Sequence, residues 1–329
     1  DRPYTINILP YKKEFLNNLL KIYCIFLYKL VLYKIFIRRE MITMKLKKII
    51  ATALSAVLAL SVFTACGKKE TASGPAVKVI DIELTEEEYA LGVDKDQPEL
   101  LEKVNEFITK IQEDGTYDEI LNRYFGDGEP QAVVSAQYDS SKDQLVIATN
   151  AAFEPFEFTK GDSYLGIDME IAKLFADSLG KELVIQNMDF DAVCLSVGQH
   201  KCDLALAGLT IKPDREEYVT FSKSYYKASQ KIIVPADCTE FDNCKTAADV
   251  EKILRDKKDS IKVGVQTGTT GQFYAEGDES WGFEGFDFKT VGYKNGALAV
   301  QDLVNGNLDY VIIDSAPAAC ITESINEMQ

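Results

Sequence analysis

The sequence predicts an α/β protein assembled from two α/β units, and three observations predict it. The chain has 329 residues, of which 46% are hydrophobic and 10% aromatic, enough for two packed cores rather than one. Short apolar runs of strand length alternate with amphipathic stretches of helix length, the rhythm of strands joined by crossovers. That rhythm occurs twice, over residues 145–207 and again over 262–313.

Residues 77–84 (VKVIDIEL) alternate in the manner of a strand, and 88–93 (EYALGV) form a second short apolar run. Pro98 opens a helix whose Leu100, Val104, Phe107, Ile108 and Ile111 recur at spacings of three and four. Asp114-Gly115 stops it, and a second short helix ends near Phe125. Residues 126–143 are polar with Gly and Pro, the composition of a linker. A buried-strand run follows at 145–149 (LVIAT), then a helix at 167–179, a strand at 182–186, a helix at 190–198 and a buried strand at 203–207 (DLALA). The second set runs from a strand at 262–266 through a helix at 295–305 to a strand at 310–313.

The first 65 residues do not read as fold. Lys21, Lys29 and Lys34 interrupt every long apolar run between 16 and 37, against a membrane-spanning helix. Residues 1–43 are expected to lie upstream of a natural start at Met44. From there Lys45, Lys47 and Lys48 form a positive n-region, and 49–63 an apolar h-region. Small residues then precede Cys66, as in a bacterial lipobox. Residues 44–65 are therefore expected to be a lipoprotein signal peptide, Cys66 the lipid-modified residue and 66–76 a tether; an ordinary secretory signal is the rival. The protein would then be exported and held on the outer face of the cell membrane by acyl chains, each buried CH₂ contributing about 0.8 kcal/mol.

Charge and cysteines narrow the function. Eleven of the 36 Lys/Arg and three of the 52 Asp/Glu fall in residues 1–65, so the remainder carries a formal −24. Phosphate binding needs a basic face, which excludes nucleic acid as a partner; the acidic surface serves solubility. Beyond the signal stand Cys66, Cys194, Cys202, Cys238, Cys244 and Cys320. A Cys238–Cys244 disulfide would contribute roughly 2 kcal/mol, and Cys194 and Cys202 either pair or act as buried thiols. His200 is the only histidine, and its surroundings match no zinc pattern. No metal or cofactor is expected.

Four clusters sit at strand ends, where open α/β sheets bind ligands. They are 149–153 (TNAAF), 207–210 (AGLT) with Arg215 five residues on, 266–270 (QTGTT), and Asp314. Their chemistry complements an amino-acid zwitterion. A guanidinium grips a carboxylate with two parallel hydrogen bonds. Backbone N–H groups at the turn carrying Thr269 and Thr270 add anion donors. Asp314, the Gly208 carbonyl and the Thr210 hydroxyl would hold an ammonium, with Phe153 and Phe190 as apolar walls. Each residue has a duller alternative: Arg215 a surface ion pair, Asp314 a helix cap, Gly-Thr-Thr a plain turn, Phe153 core. No catalytic residue is expected. His200 stands at a polar helix end, and there is neither a Ser/His/Asp arrangement nor a phosphate loop.

With these clusters in view, the chain resembles the bacterial extracellular solute-binding proteins, family 3 type, that serve polar amino-acid ABC importers. The stretches that carry the resemblance are 88–125, 149–158 (TNAAFEPFEF), 166–173 (GIDMEIAK), 203–215 (DLALAGLTIKPDR), 221–226 (FSKSYY), 263–270 (VGVQTGTT) and 309–316 (DYVIIDSA). The resemblance implies a two-lobe periplasmic-binding-protein-like fold with a central ligand cleft and hinge strands, a monomer that captures an amino acid and delivers it to an ABC transporter permease. Arg215 would take the α-carboxylate, helped by Thr210 and Thr270, while Asp314 and the Gly208 carbonyl take the α-amino group. Asn150, Phe153, Phe190, Ala207, Gln266 and Thr269 would complete the site, a mixed lining that suggests a neutral polar ligand such as glutamine or cystine. A dehydratase on the same fold and the ligand-sensing domain of a receptor are the alternatives.

In the family, the segment like 77–125 stands at the C-terminus. Here it comes first, so the resemblance implies circular permutation. Residues 77–127 and 144–230 would form lobe 1, joined by a linker at 128–143, and 231–329 lobe 2; a piece of a tandem array would give the same order. The permutation is expected to cut one of the two hinge connections and to loosen closure.

Overall fold

The computed structural model describes residues 74–328. The expectations for the 1–43 stretch, the signal peptide, Cys66 and most of the tether lie outside the described residues.

The described residues start in one lobe and cross at once to the other. β1 (Val77–Ile80), β2 (Glu87–Tyr89) and β3 (Gly92–Asp94) lead into α1 (Pro98–Glu113) and α2 (Thr116–Phe125). Leu100, Val104, Ile108 and Ile111 make the buried stripe of α1. Pro stands at its start and Lys110 in its last turn, where the helix dipole favours a cation. Then come β4 (Gln144–Thr149), a small meander of β5 (Ala152–Phe153), β6 (Glu157–Lys160) and β7 (Ser163–Leu165), then α3 (Ile167–Ser178) and β8 (Glu182–Asn187). α4 (Val193–Gly198), β9 (Leu204–Ala205) and β10 (Val219–Phe221) finish the first lobe. β11 (Tyr226–Ala228) crosses back. β12 (Gln230–Pro235), α5 (Ala247–Lys257), β13 (Lys262–Gln266) and α6 (Thr270–Glu276) follow. β14 (Lys289–Tyr293), α7 (Gly296–Val304), β15 (Tyr310–Asp314) and α8 (Ser315–Glu327) complete the second lobe.

Each lobe has a five-stranded sheet, ordered β10-β3-β9-β4-β8 in the first and β1-β12-β15-β13-β14 in the second. The two are built alike. β9, β4 and β8 are parallel, as are β15, β13 and β14. β4 and β15 are buried along their whole length, as expected of central strands covered on both faces. The remaining strands are antiparallel, and together they form one structure. β1 pairs with β12, β2 with β11 and β3 with β10. Residues 77–94 and 219–235 therefore run side by side as a two-stranded ribbon through both lobes, with β2 and β11 as its hinge.

This ribbon corrects two expectations. Val77–Ile80 belongs to the second-lobe sheet rather than to lobe 1, because it pairs from Val77 against Pro235 to Ile80 against Ile232. Both connections between the lobes are therefore continuous, and neither hinge strand is cut. The Asn326 side chain of α8 accepts from the N–H groups of Ala76 and Val77 at 2.8 and 3.2 Å and donates to the Val77 carbonyl at 2.9 Å, tying the last helix to the first strand. The linker is pinned rather than loose. Val133 bridges Tyr164, the Gln131 N–H donates to Glu170, and the Ala136 N–H donates to the Leu183 carbonyl. Cys194, Cys202, Cys238, Cys244 and Cys320 are all free thiols. Cys194 and Cys202 are buried, as one of the two alternatives for that pair anticipates.

Candidate ligand-binding site

The four predicted clusters converge. β4 and β9 of the first lobe and β13 and β15 of the second end at one gap between the sheets. There Phe153, Phe190, Gly208, Thr210, Arg215, Thr269, Thr270 and Asp314 line a common pocket. It is closed down to about 10 Å³, about one water's worth. Three candidates do not line it. Ala207 is buried in the apolar cluster with Val146, Val184 and Leu209. Asn150 and Gln266 pair with each other across the lobes, the Gln266 amide donating to Asn150 Oδ1 at 3.2 Å while Asn150 Nδ2 donates to the Met188 carbonyl at 2.7 Å.

Arg215 is not a surface ion pair. It is only 7% exposed. The arginine ion pairs among the described residues belong to Arg123 and Arg255, and Arg215 has none. Its Nη1 donates to the Thr210 carbonyl at 2.8 Å and its Nη2 to the Gly268 carbonyl of the other lobe at 3.2 Å. The Phe190 ring lies 5.2 Å from the guanidinium carbon, close enough for a cation–π contact. A buried cation without a countercharge is costly unless an anion arrives.

Asp314 mirrors it. Although it precedes α8, its side chain makes no capping hydrogen bond. Instead it accepts from the Tyr89 hydroxyl at 2.6 Å. Burial first, and then the charge of Glu87, hold its carboxyl well above the ordinary carboxylate range. A buried carboxylate so placed favours an arriving cation.

A buried network holds the floor of the site. Gly208 has φ +53°, and a Cβ there would stand 2.8 Å from the Phe153 ring, so only glycine fits. Its N–H donates to Asp168 Oδ2 at 2.9 Å, and the Tyr225 hydroxyl donates to Asp168 Oδ1 at 2.6 Å. Burial pushes Asp168 up to about 6. Glu157 beside it is pushed far higher by burial and by the Asp168 charge. No donor reaches either Glu157 oxygen among the described residues.

Further contacts join the lobes. Thr270 Oγ1 lies 3.2 Å from Thr210 Oγ1. Lys212, 1% exposed, is 2.6 Å from Asp278 of the second lobe and 2.9 Å from Asp214, with its ammonium 4.0 Å over the Phe273 ring. Lys294 reaches Asp189 at 3.1 Å. Away from the pocket, His200 sits between Asp94 and Asp96 at 2.8 and 3.5 Å. The Asp94 hydrogen bond, and then its charge, raise the His200 pKa.

Sequence reasoning missed Tyr89, Glu87, Lys212 and Asp168. The Glu-Glu-Tyr alternation of 87–89 was the available signal for the first two, since it turns the outer residues to one side of a strand. Asp168 and Lys212 look in sequence like ordinary helix and loop charges.

All of the pocket residues except Asp314 fall within the stretches that match a known family. Residues 17–127 and 145–312 match the bacterial extracellular solute-binding proteins, family 3. The chain belongs to this family. This solute-binding protein is 30% identical over 191 residues to the arginine-binding extracellular protein ArtP of Bacillus subtilis (strain 168), covering 58% of this chain and 69% of that one. It is 29% identical over 178 residues to the ABC transporter arginine-binding protein 1 of Escherichia coli (strain K12), covering 54% of this chain and 65% of the relative. Among solved structures, an ancestral arginine-binding protein bound to arginine superposes with a TM-score of 0.47 at 30% identity, covering 56% of this chain and 75% of that chain.

Proposed function

We propose that this protein captures a polar L-amino acid between its lobes and delivers it to the permease of an ABC importer. The observation that carries the proposal is Arg215. It is a buried guanidinium without a carboxylate partner among the described residues, in one pocket with the buried carboxylate of Asp314 on the opposite lobe. A zwitterion supplies both missing charges. Arg215 takes the α-carboxylate, Asp314 and the Gly208 carbonyl take the α-ammonium, and Phe153 and Phe190 flank the stem.

Because the pocket is closed, the lobes part at the hinge for the ligand to enter. The relatives named as arginine-binding make arginine the first ligand to test, ahead of the glutamine or cystine that the mixed lining suggests. A thermal-shift screen of the twenty amino acids tests the proposal, since a ligand that prefers the folded form raises the melting temperature. One or a few polar amino acids should raise it; no rise from any of them contradicts the proposal.

The element order supports a circularly permuted arrangement, with β1 to α2 ahead of β4. The lipobox-like VFTACG at 62–67 supports lipid attachment at Cys66. Wild type should partition into detergent and Cys66→Ala should not; equal partitioning would remove the anchor.

A further inference from the structure

Glu87 is a buried carboxylate whose effect on Asp314 leaves its own hydrogen bonds unexplained. β2 is three residues long. Strand alternation turns Glu87 and Tyr89 inward and leaves Glu88 exposed. The two inward residues reach different parts of the pocket: Tyr89 donates to Asp314, and Glu87 meets Thr210. The Glu87 carboxylate accepts from the Thr85 hydroxyl at 2.6 Å, the Gln230 amide at 2.9 Å and the Thr210 hydroxyl at 2.7 Å. It is 4% exposed. Thr85 and Gln230 stand on the two strands of the ribbon where it leaves the second lobe, and Thr210 stands in the first. Glu87 therefore ties the hinge to the pocket.

A hydroxyl has one proton to donate. Thr210 donates its proton to Glu87, so its oxygen meets the pocket as an acceptor only. Thr270, 3.2 Å away on the other lobe, is the donor that faces it. A ligand carboxylate has no proton to offer such an oxygen; an ammonium has three. We infer that Glu87 is a positioning residue, holding the Thr210 hydroxyl as an acceptor for the ligand's α-ammonium and linking that arrangement to the closed hinge. The inference rests on the amino-acid reading of the site. It separates the two roles that the sequence left open for Thr210, in favour of the ammonium.

The test is a double-mutant cycle on the full chain with wild type, Glu87→Gln, Thr210→Val and the double variant. Each is titrated calorimetrically with L-arginine and, separately, L-glutamine, and each ligand-free form is unfolded in urea. Glu87→Gln should weaken binding about tenfold or more. In the Thr210→Val background it should weaken binding about threefold or less, because the hydroxyl it orients is gone. A merely structural role would give the same loss in both backgrounds, and that result overturns the inference. If neither probe binds wild type, the amino-acid reading fails for both probes, and the urea cycle decides the role of Glu87. Non-additive stabilities sustain the Glu87–Thr210 coupling, and additive ones overturn it.

Discussion

Arg215 and Asp314 carry opposite charges into one closed pocket, and each is held by groups that leave its charge unanswered. Backbone carbonyls orient the guanidinium, and a tyrosine hydroxyl orients the carboxylate. Losing one partner of a buried charge pair typically costs 2–5 kcal/mol. Arg215→Ala should therefore weaken amino-acid binding by about that amount in a calorimetric titration; wild-type affinity would remove Arg215 from the site. Asp314 gives a pH signature. Its carboxyl titrates above the ordinary carboxylate range in the ligand-free protein, because burial and Glu87 disfavour its charge. An ammonium binds the ionised form, so affinity should rise as pH rises through that raised pKa and fall toward pH 5. Asp314→Asn should bind weakly with a flat profile across the same range, and an unchanged profile would assign the titration to another group. Both charges were legible in the sequence because they follow apolar strands. Glu87 and Tyr89 were not: the alternation at 87–89 turns both to one side, but it gives no sign of Thr210, Gln230 and Asp314, which stand far along the chain.

The elements that matter most are the short ones. β5 to β7 and the hinge strands have two to four residues each, too few to display a period, whereas α1, α3, β4, β13 and β15 appeared in the sequence nearly as they fold. The turn after β9 depends on Gly208. Gly208→Ala places a methyl against Phe153 in a left-handed backbone conformation. It should lower stability by roughly 1–3 kcal/mol in urea unfolding, and an unchanged midpoint would mean that the turn relaxes freely. The Lys212–Asp278 pair is a latch between the lobes, outside the ligand's reach. Lys212 belongs to the first lobe and Asp278 to the second, so parting the lobes would separate them. Asp278→Asn should therefore reduce affinity several-fold by lowering the closed fraction, with every pocket side chain intact. Unchanged affinity would make the latch a bystander.

The described residues form two similar sheets threaded by a single antiparallel ribbon. The two α/β units were visible as repeated strand–helix rhythm. The ribbon was not, because its pairings join residues more than 120 apart and the hydrophobic pattern of either half is compatible with several partners. That ribbon lets a chain whose elements come in this order keep both hinge connections. In the proposed function, a cation from one lobe and an anion from the other meet the two ends of one dipolar ligand. The most direct measurement is calorimetric titration of the full chain with the amino acid that raises its melting temperature most, beside that amino acid's α-methyl ester and its α-N-acetyl derivative. Either derivative, lacking one end charge, should lose binding about a hundredfold or more. A derivative that binds as tightly as its parent would contradict the proposal.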